Sequence, residues 1–144
     1  MATDRRADVT WQGSLMEGSG TIRSTTSGKL GEQKVSWPNR AEDNPDATSP
    51  EELIAAGWAA CFAMALSNGL AKGGNPPEKL ETSATVTFQP GEGITKGVLT
   101  VRGTVPGMDE AAFKDAAEGA KENCPVSKAL AGIPDVTVEA SLAA

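Results

Sequence analysis

The feature of the sequence that most constrains the fold is a long apolar stretch at 48–74. Ser49, Pro50 and Glu52 are typical of a helix N-terminus, because a serine cap, a proline in the first turn and a glutamate three residues after the cap satisfy or replace free N–H groups. The glycine pair that begins at Gly73 predicts the C-terminus. The pattern therefore predicts a helix that starts at Pro50 and ends at the lysine before the glycines.

The predicted helix has no charged residue between Leu53 and Leu66 and is apolar on nearly all sides. A helix of this kind is buried over most of its surface in a soluble fold. It is too short and too rich in alanine to span a bilayer comfortably. Its many alanines and glycines leave room for another element to approach closely. We expect it to be the central helix of the fold.

Composition predicts one soluble domain that a partner subunit would stabilise. The chain has 144 residues, and we expect a single domain over 1–144, in which 1–12 form a flexible or strand-like arm. With 39% hydrophobic residues and 16 glycines the core is light in bulky side chains, which a subunit covering the central helix would compensate. The net charge of −6 argues against nucleic acid and anionic membranes as partners. The N-terminal residues lack an apolar signal region, which predicts a cytoplasmic location.

The order of strand and helix patterns is typical of an α+β domain. A pair of strands precedes the central helix, a second pair follows it, and two helices lead to a last strand. The predicted elements are strands at 17–26 and 29–37, an exposed, mobile loop from 37 to 49, strands at 81–89 and 93–105, helices at 109–123 and 125–132, and a strand at 135–142. Because the strands come in pairs, we expect antiparallel sheets built from hairpins and packed around the long buried central helix.

Cys61 and Cys124 are the candidate reactive residues. Cys61 lies in the middle of the apolar helix, where a thiol is most often a small, inert core residue. Cys124 precedes Pro125 at the start of a predicted helix, where the helix dipole lowers a thiol pKa. Together the two suit a dithiol that opens and closes between an attacking and a resolving sulfur. Two unrelated core cysteines fit the same pattern equally well.

Several kinds of chemistry are excluded by what the sequence lacks. There is no histidine, which removes histidine-based acid–base catalysis and histidine metal sites. The cysteines are too far apart for a CxxC motif or a zinc site, and there is no phosphate-binding loop. We therefore expect no metal and no cofactor. A buried thiol needs a nearby cation to ionise; of the five arginines, Arg40 lies in the loop that leads to the central helix.

Two segments of the chain resemble one protein family. PEELIAAGWAACFAMALS around Cys61, followed by NCPVSKAL around Cys124, is similar to the osmotically inducible protein C and organic hydroperoxide resistance (OsmC/Ohr) family, over about Gly18 to Leu142. The MALS segment and the Asn-Arg pair before the helix favour the OsmC branch. The resemblance implies an intertwined α+β homodimer with active sites at the subunit interface, and a thiol peroxidase that reduces organic hydroperoxides to alcohols.

The resemblance also implies roles for four residues. Cys61 matches the cysteine that attacks the peroxide and becomes a sulfenic acid, and Cys124 matches the resolving cysteine that forms a disulfide with it. Arg40 matches the arginine that holds the thiolate and polarises the peroxide. Glu51 matches the glutamate that positions this arginine. A dithiol, of the lipoyl type in this family, is the implied reductant.

Helix geometry constrains how these residues can meet. Glu51 and Cys61 are ten residues apart on the predicted helix, which corresponds to about 15 Å along its axis. Because one arginine does not easily reach both, we expect Glu51 to come from a second subunit, so that the homodimer shares its active sites, unless the helix breaks near Gly57. An apolar wall near Cys61 would suit an alkyl or aryl peroxide better than hydrogen peroxide. The residues expected to form this wall are Trp58, Phe62, Met64 and Leu66.

Two functions of other classes also fit the sequence. An apolar pocket between two subunits could bind a small ligand without turnover, in which case the thiols are incidental. Alternatively, the two thiols could form a redox sensor that passes a disulfide to a partner. Peroxide-dependent loss of two thiols separates the enzyme and the sensor from the binding module, and turnover with a dithiol separates the enzyme from the sensor.

Overall fold

The computed structural model describes residues 2–42 and 46–143. Two compact units are present, one over 1–53 and one over 54–144, and their boundary falls inside a long helix. The middle of the loop predicted before this helix, residues 43–45, lies outside the described residues. The predicted α+β class is confirmed by two small sheets and a long helix. The single domain and the intertwined homodimer stay predictions.

The first unit contains a three-stranded antiparallel sheet. Its strands are β1 (Ala7–Gln12), β2 (Ser19–Thr25) and β3 (Gln33–Val35), in the order β1-β2-β3. The strand expected over 29–37 is therefore shorter, and it is followed by a short helix, α1 (Trp37–Ala41), where the sequence predicts a loop. The loop prediction was wrong at this point because Ser36 caps the helix, its side chain accepting a hydrogen bond from the Asn39 N–H.

The predicted central helix is present as α2 (Pro50–Lys72) and is continuous. Ser49 Oγ accepts a hydrogen bond from the N–H of Glu52 over 3.1 Å, as the cap pattern predicts. At the other end Gly74 has a positive φ of 93°, and the N–H of Asn75 bonds back to the carbonyl of Leu70 over 2.9 Å. Such a left-handed residue ends a helix by pairing its last carbonyl groups, and glycine adopts it without strain.

The buried face of α2 is narrower than the composition of the helix predicts. Its fully buried apolar residues recur every fourth position in one stripe: Trp58, Phe62, Leu66 and Leu70. The opposite side is open, and the side chain of Met64 is 71% exposed. Burial on most sides is thus wrong for the isolated chain. By length and composition α2 could also cross a membrane, a property that core helices of soluble folds share.

The second unit contains a mixed three-stranded sheet against which the stripe packs. Its strands are β4 (Lys79–Gln89), β5 (Gly93–Thr104) and β6 (Asp135–Leu142), in the order β4-β5-β6. β4 and β5 form the predicted antiparallel hairpin, but β6 pairs with β5 in parallel. Three of the four strand pairs are antiparallel, as expected, and the parallel pair is the exception that the sequence did not predict. The intervening helices, α3 (Glu110–Asn123) and α4 (Pro125–Ala129), provide the crossover that a parallel pair requires.

Two glycines on β5 allow large rings to lie directly on the sheet. A β-carbon at Gly97 would lie 2.5 Å from the indole ring of Trp58, and one at Gly103 would lie 2.6 Å from the ring of Phe113. Both distances are far shorter than a van der Waals contact. The rings form the centre of a core completed by Phe62, Leu66, Leu70, Leu99, Val101, Val105, Ala117, Ala120, Cys124 and Ile133. One of the two cysteines is thus a member of the hydrophobic core.

Candidate active site

Arg40 and Glu51 form an ion pair in the first unit. Arg40 lies in the last turn of α1 and Glu51 in the first turn of α2. The Nε of Arg40 donates to Oε1 of Glu51 over 2.9 Å, with side-chain exposures of 38% and 8%. The second oxygen, Oε2, is buried and has no hydrogen-bond partner among the residues that the structure describes. The carboxylate is therefore held by the arginine on one side only.

The Arg40 side chain also borders an apolar cavity of about 190 Å³. The other residues that line this cavity are Trp11, Leu15, Val35, Ser36, Trp37 and Pro50. Aromatic and aliphatic walls with a single cation can accept a molecule that has an apolar body and a polar or anionic end. The first unit thus combines a positioned guanidinium with room for an organic group.

Cys61 and Cys124 meet in the second unit, although they are far apart in sequence. Their Sγ atoms are 2.8 Å apart, and both are free thiols. Cys61 projects from α2 and is partly exposed, whereas Cys124 joins α3 to α4 and is 0% exposed. The backbone of Cys124 is extended, with φ −59° and ψ 125°, as the following Pro125 requires. Little movement separates the pair from a disulfide of about 2.05 Å.

The surroundings shift the two thiol pKa values in opposite directions. Burial raises the pKa of Cys61, and its hydrogen bond with Cys124 raises it further. The Cys124 side chain makes no capping hydrogen bond at the start of α4. Burial also opposes ionisation of Cys124, but the neighbouring Cys61 thiol and the polar groups of Ser127 and Val126 lower its pKa overall. Negative charge in the pair is therefore more stable on Cys124.

The family model described as "OsmC-like protein" matches residues 42–139, a range that includes Glu51, Cys61 and Cys124 and begins just after Arg40. The chain belongs to the OsmC family. The resemblance drawn from the two cysteine segments is therefore confirmed.

Members of this OsmC family with curated names are similar over most of their length. The chain is 39% identical over 133 residues to Peroxiredoxin OsmC of Escherichia coli, covering 90% of this chain and 92% of that protein. It is 35% identical over 123 residues to an Organic hydroperoxide resistance protein of Xanthomonas axonopodis pv. citri, covering 81% and 83%. The higher identity to the first supports the OsmC branch.

Solved structures of OsmC-family proteins have the same fold. An organic hydroperoxide resistance protein OsmC from Legionella pneumophila matches with a TM-score of 0.68 and 25% identity, covering 96% of this chain and 97% of that one. OhrB of Bacillus subtilis matches with a TM-score of 0.63 and 28% identity, covering 96% and 98%. These structural matches cover more of the chain than the family model does.

The sequence did not identify Ser127 as part of the site. The indole Nε1 of Trp58 donates to Ser127 Oγ over 2.7 Å, and Ser127 lies in α4 three residues after Cys124. The available signals were a serine three residues after the cysteine and a tryptophan, which carries a polar N–H, on the apolar helix. Neither signal indicates that the two residues meet, because they lie on different elements.

The apolar wall expected beside Cys61 is not present in the second unit. Trp58, Phe62 and Leu66 are almost completely buried and form the core stripe of α2, so they are not available to a substrate in this chain. Met64 is the one member of the predicted wall that is exposed. The prediction of this wall was wrong because apolar residues lie on nearly all sides of the helix, so its composition does not show which face is buried.

Proposed function

We propose that this chain is a thiol peroxidase that reduces organic hydroperoxides to alcohols through a Cys61 sulfenic acid and a Cys61–Cys124 disulfide, with a dithiol as reductant. The observation that carries the proposal is the 2.8 Å separation of the two sulfur atoms, one partly exposed and one buried. Unrelated core cysteines have no reason to lie at this distance. The printed names of the OsmC and organic hydroperoxide resistance relatives support a role in hydroperoxide chemistry.

Accessibility supports Cys61 as the attacking residue. A peroxide can approach Cys61, which is partly exposed, but not Cys124, which is 0% exposed. The Cys61 thiolate attacks the distal oxygen of the hydroperoxide, the O–O bond breaks, and the alkoxide leaves and takes up a proton to become the alcohol. Cys61 is left as a sulfenic acid.

Cys61 requires activation, because its pKa is raised by burial. The Cys124 sulfur can accept its proton across the hydrogen bond between them, but a cation is needed to stabilise the resulting Cys61 thiolate. We assign this role to Arg40, with Glu51 as the residue that orients its guanidinium through the 2.9 Å ion pair. The same guanidinium would stabilise the negative charge that develops on the leaving oxygen.

The remaining steps return the protein to its starting state. The Cys124 thiolate attacks the sulfur of the sulfenic acid, an S–S bond forms, and hydroxide leaves and is protonated to water. A dithiol of the lipoyl type then transfers two electrons to the disulfide by two exchange steps, giving back both thiols and leaving the reductant as a cyclic disulfide.

The open face of α2 supports the homodimer as part of the same proposal. An apolar helix side on which Met64 is 71% exposed is costly in water, and a second copy of the chain would bury it. Because α2 is continuous through Gly57, the ten-residue spacing between Glu51 and Cys61 persists. This spacing supports active sites that are shared between two subunits. A catalytically competent monomer in a sedimentation experiment would contradict the shared site.

The test is a thiol titration of the reduced protein before and after one equivalent of cumene hydroperoxide. We expect loss of two thiols to a disulfide within one chain. The Cys61→Ser variant should not react, and the Cys124→Ser variant should stop at a sulfenic acid that dimedone traps. Survival of both thiols in the wild type would refute the proposal and make the ligand-binding module the leading alternative.

A second measurement separates the enzyme from the redox sensor. Cumene hydroperoxide and a dithiol such as dihydrolipoamide are supplied together in large excess over the protein, and alcohol is quantified. Many alcohol molecules for each chain are expected. A single turnover that ends in a persistent disulfide would contradict the enzyme and fit the sensor.

A further inference from the structure

A hydrogen bond between Trp58 and Ser127 ties α4 to α2 beside the cysteine pair. The indole Nε1 of Trp58 donates to Ser127 Oγ over 2.7 Å. Trp58 lies three residues before Cys61 on α2, about one helical turn away. Ser127 lies at the same spacing after Cys124. The indole–hydroxyl bond and the 2.8 Å contact of the two sulfurs therefore join the same two segments of the chain.

The Trp58 side of this bond is fixed by the core. The ring is 0% exposed and lies on β5 at Gly97, where a β-carbon would come within 2.5 Å of it. An indole N–H can only donate, and a buried N–H needs an acceptor. If α4 moved away, the indole could not follow, and its N–H would lose its acceptor inside the core. The bond therefore opposes any opening of α4.

The α4 side of the bond is a short helix near the surface. None of its five residues, Pro125–Ala129, is fully buried. A cavity of about 420 Å³, lined in part by Trp58 and Ser127, lies beside it and leaves room for movement. The N–H of Lys128 bonds to the carbonyl of Cys124 over 3.0 Å, so Cys124 and the first turn of α4 form one hydrogen-bonded unit. A movement of α4 would thus displace the Cys124 sulfur.

We propose that Trp58 and Ser127 are positioning residues whose hydrogen bond, here called the clamp, holds Cys124 at bonding distance from Cys61 while the sulfenic acid is present. This inference rests on the proposed function and adds to it a device that keeps disulfide formation fast. With the clamp closed, the sulfurs approach only from 2.8 Å to about 2.05 Å. Held in this way, the two groups react as neighbours of high effective concentration.

The clamp selects between two fates of the Cys61 sulfenic acid. In the first, the Cys124 thiolate attacks the Cys61 sulfur, an S–S bond forms, and hydroxide leaves and is protonated to water. In the second, the Cys61 sulfur attacks the distal oxygen of another hydroperoxide molecule and the O–O bond breaks. The leaving alkoxide takes a proton from the oxidised sulfur group and becomes the alcohol, and Cys61 becomes a sulfinic acid, which dithiols do not reduce. The clamp thus protects the protein from excess substrate.

The first test measures disulfide formation in a single turnover. Reduced protein is mixed with one equivalent of cumene hydroperoxide and quenched at intervals, and the sulfenic acid trapped by dimedone is quantified beside the disulfide by mass spectrometry. Ser127→Ala should slow the step from sulfenic acid to disulfide roughly threefold to fivefold, the range that one hydrogen bond between neutral groups supplies. Ser127→Thr, which keeps the hydroxyl, should restore the rate. An unchanged rate in Ser127→Ala would overturn the proposal.

A double-variant cycle shows whether the bond itself is the cause. Trp58→Phe removes the donor and should slow the same step. In the Trp58→Phe background, adding Ser127→Ala should have no further effect, because the two substitutions break one bond. If Ser127→Ala slowed the step as much in this background as in the wild type, the serine would act without the tryptophan, and the clamp would be refuted.

Two control variants separate the clamp from general effects. Ser83→Ala removes a hydroxyl from an exposed position on β4 and should leave the rate unchanged. Val105→Ala removes buried apolar atoms from the core at a position eight residues after Gly97, about 26 Å along an extended chain. It should lower the stability of the protein but not the rate of disulfide formation. A Val105→Ala rate as low as that of Ser127→Ala would assign the effect to lost stability and overturn the proposal.

The second test measures resistance to excess peroxide during turnover. Protein and dihydrolipoamide are incubated with increasing cumene hydroperoxide, and the fraction of chains with a Cys61 sulfinic acid is measured by mass spectrometry. The dose that converts half of the chains should fall in Ser127→Ala by the same threefold to fivefold, roughly, because this dose reports the ratio of the two rates. Cys124→Ser, which cannot form the disulfide, should be the most sensitive. An equal dose for Ser127→Ala and Ser83→Ala would contradict the protective role.

Failure of this inference can be distinguished from failure of the proposed function. If the wild-type protein forms the disulfide with cumene hydroperoxide but Ser127→Ala behaves like Ser83→Ala, the peroxidase proposal stands and the clamp is refuted. If the wild-type protein does not consume the peroxide, the proposed function itself fails.

Discussion

Replacing Gly97 by alanine should destabilise the second unit, because the structure has no space for a β-carbon there. The new carbon would lie 2.5 Å from Cη2 and Cζ3 of the Trp58 ring. The ring is 0% exposed and its Nε1 is bonded to Ser127, so it cannot rotate out of the way. Extra carbon atoms in a packed core cost about 1–3 kcal/mol. We expect the upper part of that range, about 2–3 kcal/mol, because the obstacle is a rigid buried ring.

Combining Gly97→Ala with Trp58→Phe tests whether the ring is the cause. Phenylalanine is smaller and lacks the outer atoms that the new β-carbon would meet, but it leaves Ser127 without its donor and should cost about 1–3 kcal/mol alone. In the double variant we expect the loss of unfolding free energy to be smaller than the sum of the two single-variant losses by about 1–2 kcal/mol, because the two residues are in contact. The assay is urea denaturation followed by far-ultraviolet circular dichroism at fixed protein concentration.

The matched control is Gly119→Ala on α3, where a β-carbon would meet nothing within 4 Å. Because alanine restricts the unfolded chain and favours the helix, it should stabilise the protein by about 0.4–1 kcal/mol. Two results would refute the reasoning. One is a Gly97→Ala variant as stable as the wild type, and the other is a double variant whose loss equals the sum within about 0.5 kcal/mol.

Three further predictions concern the core, the thiols and the interface. Phe113→Ala should lower the free energy of unfolding by about 3–5 kcal/mol, because the ring is wholly buried, and a loss under about 1 kcal/mol in urea denaturation would contradict it. In ultraviolet titrations, Cys124 in a Cys61→Ser variant should ionise at lower pH than Cys61 in a Cys124→Ser variant, as their pKa directions require, and the reverse order would refute this. Met64→Asp should shift the proposed homodimer to monomer in sedimentation velocity, because it places a charge on the apolar face of α2, and an undisturbed dimer would mean that this face is not the interface.

Some features of the fold could be predicted because they depend on residues close together in sequence. The limits of α2 follow from Ser49, Pro50 and Gly74, and the start of α3 follows from Asp109, whose side chain accepts from the Ala112 N–H over 2.8 Å. Caps of this kind are satisfied within a few residues, so the local sequence is sufficient. The same signals were present for α1 at Ser36, but the predicted strand extended over them.

Other features could not be predicted because they depend on the path of the chain. The parallel pairing of β6 with β5 is decided by the crossover through α3 and α4, and the alternation of residues within β6 is the same for either direction. Likewise, the composition of α2 gives no preferred buried side. The stripe through Trp58 and Phe62 becomes the buried one in the folded chain, where Gly97 lets the ring of Trp58 lie directly on the sheet.

The sequence by itself determined most element types, the family and the pair of cysteines, but not the helix α1. The chemistry of the two cysteines depended on the tertiary structure. Cys61 and Cys124 are 63 residues apart in the chain, and only the packing of α2 against the sheet and α4 brings their sulfurs to 2.8 Å. The same packing gives the two thiols opposite pKa directions and brings Trp58 to Ser127, 69 residues away. Such contacts are products of the whole core, because burial and hydrogen bonding at one residue depend on distant segments that no short stretch of sequence specifies.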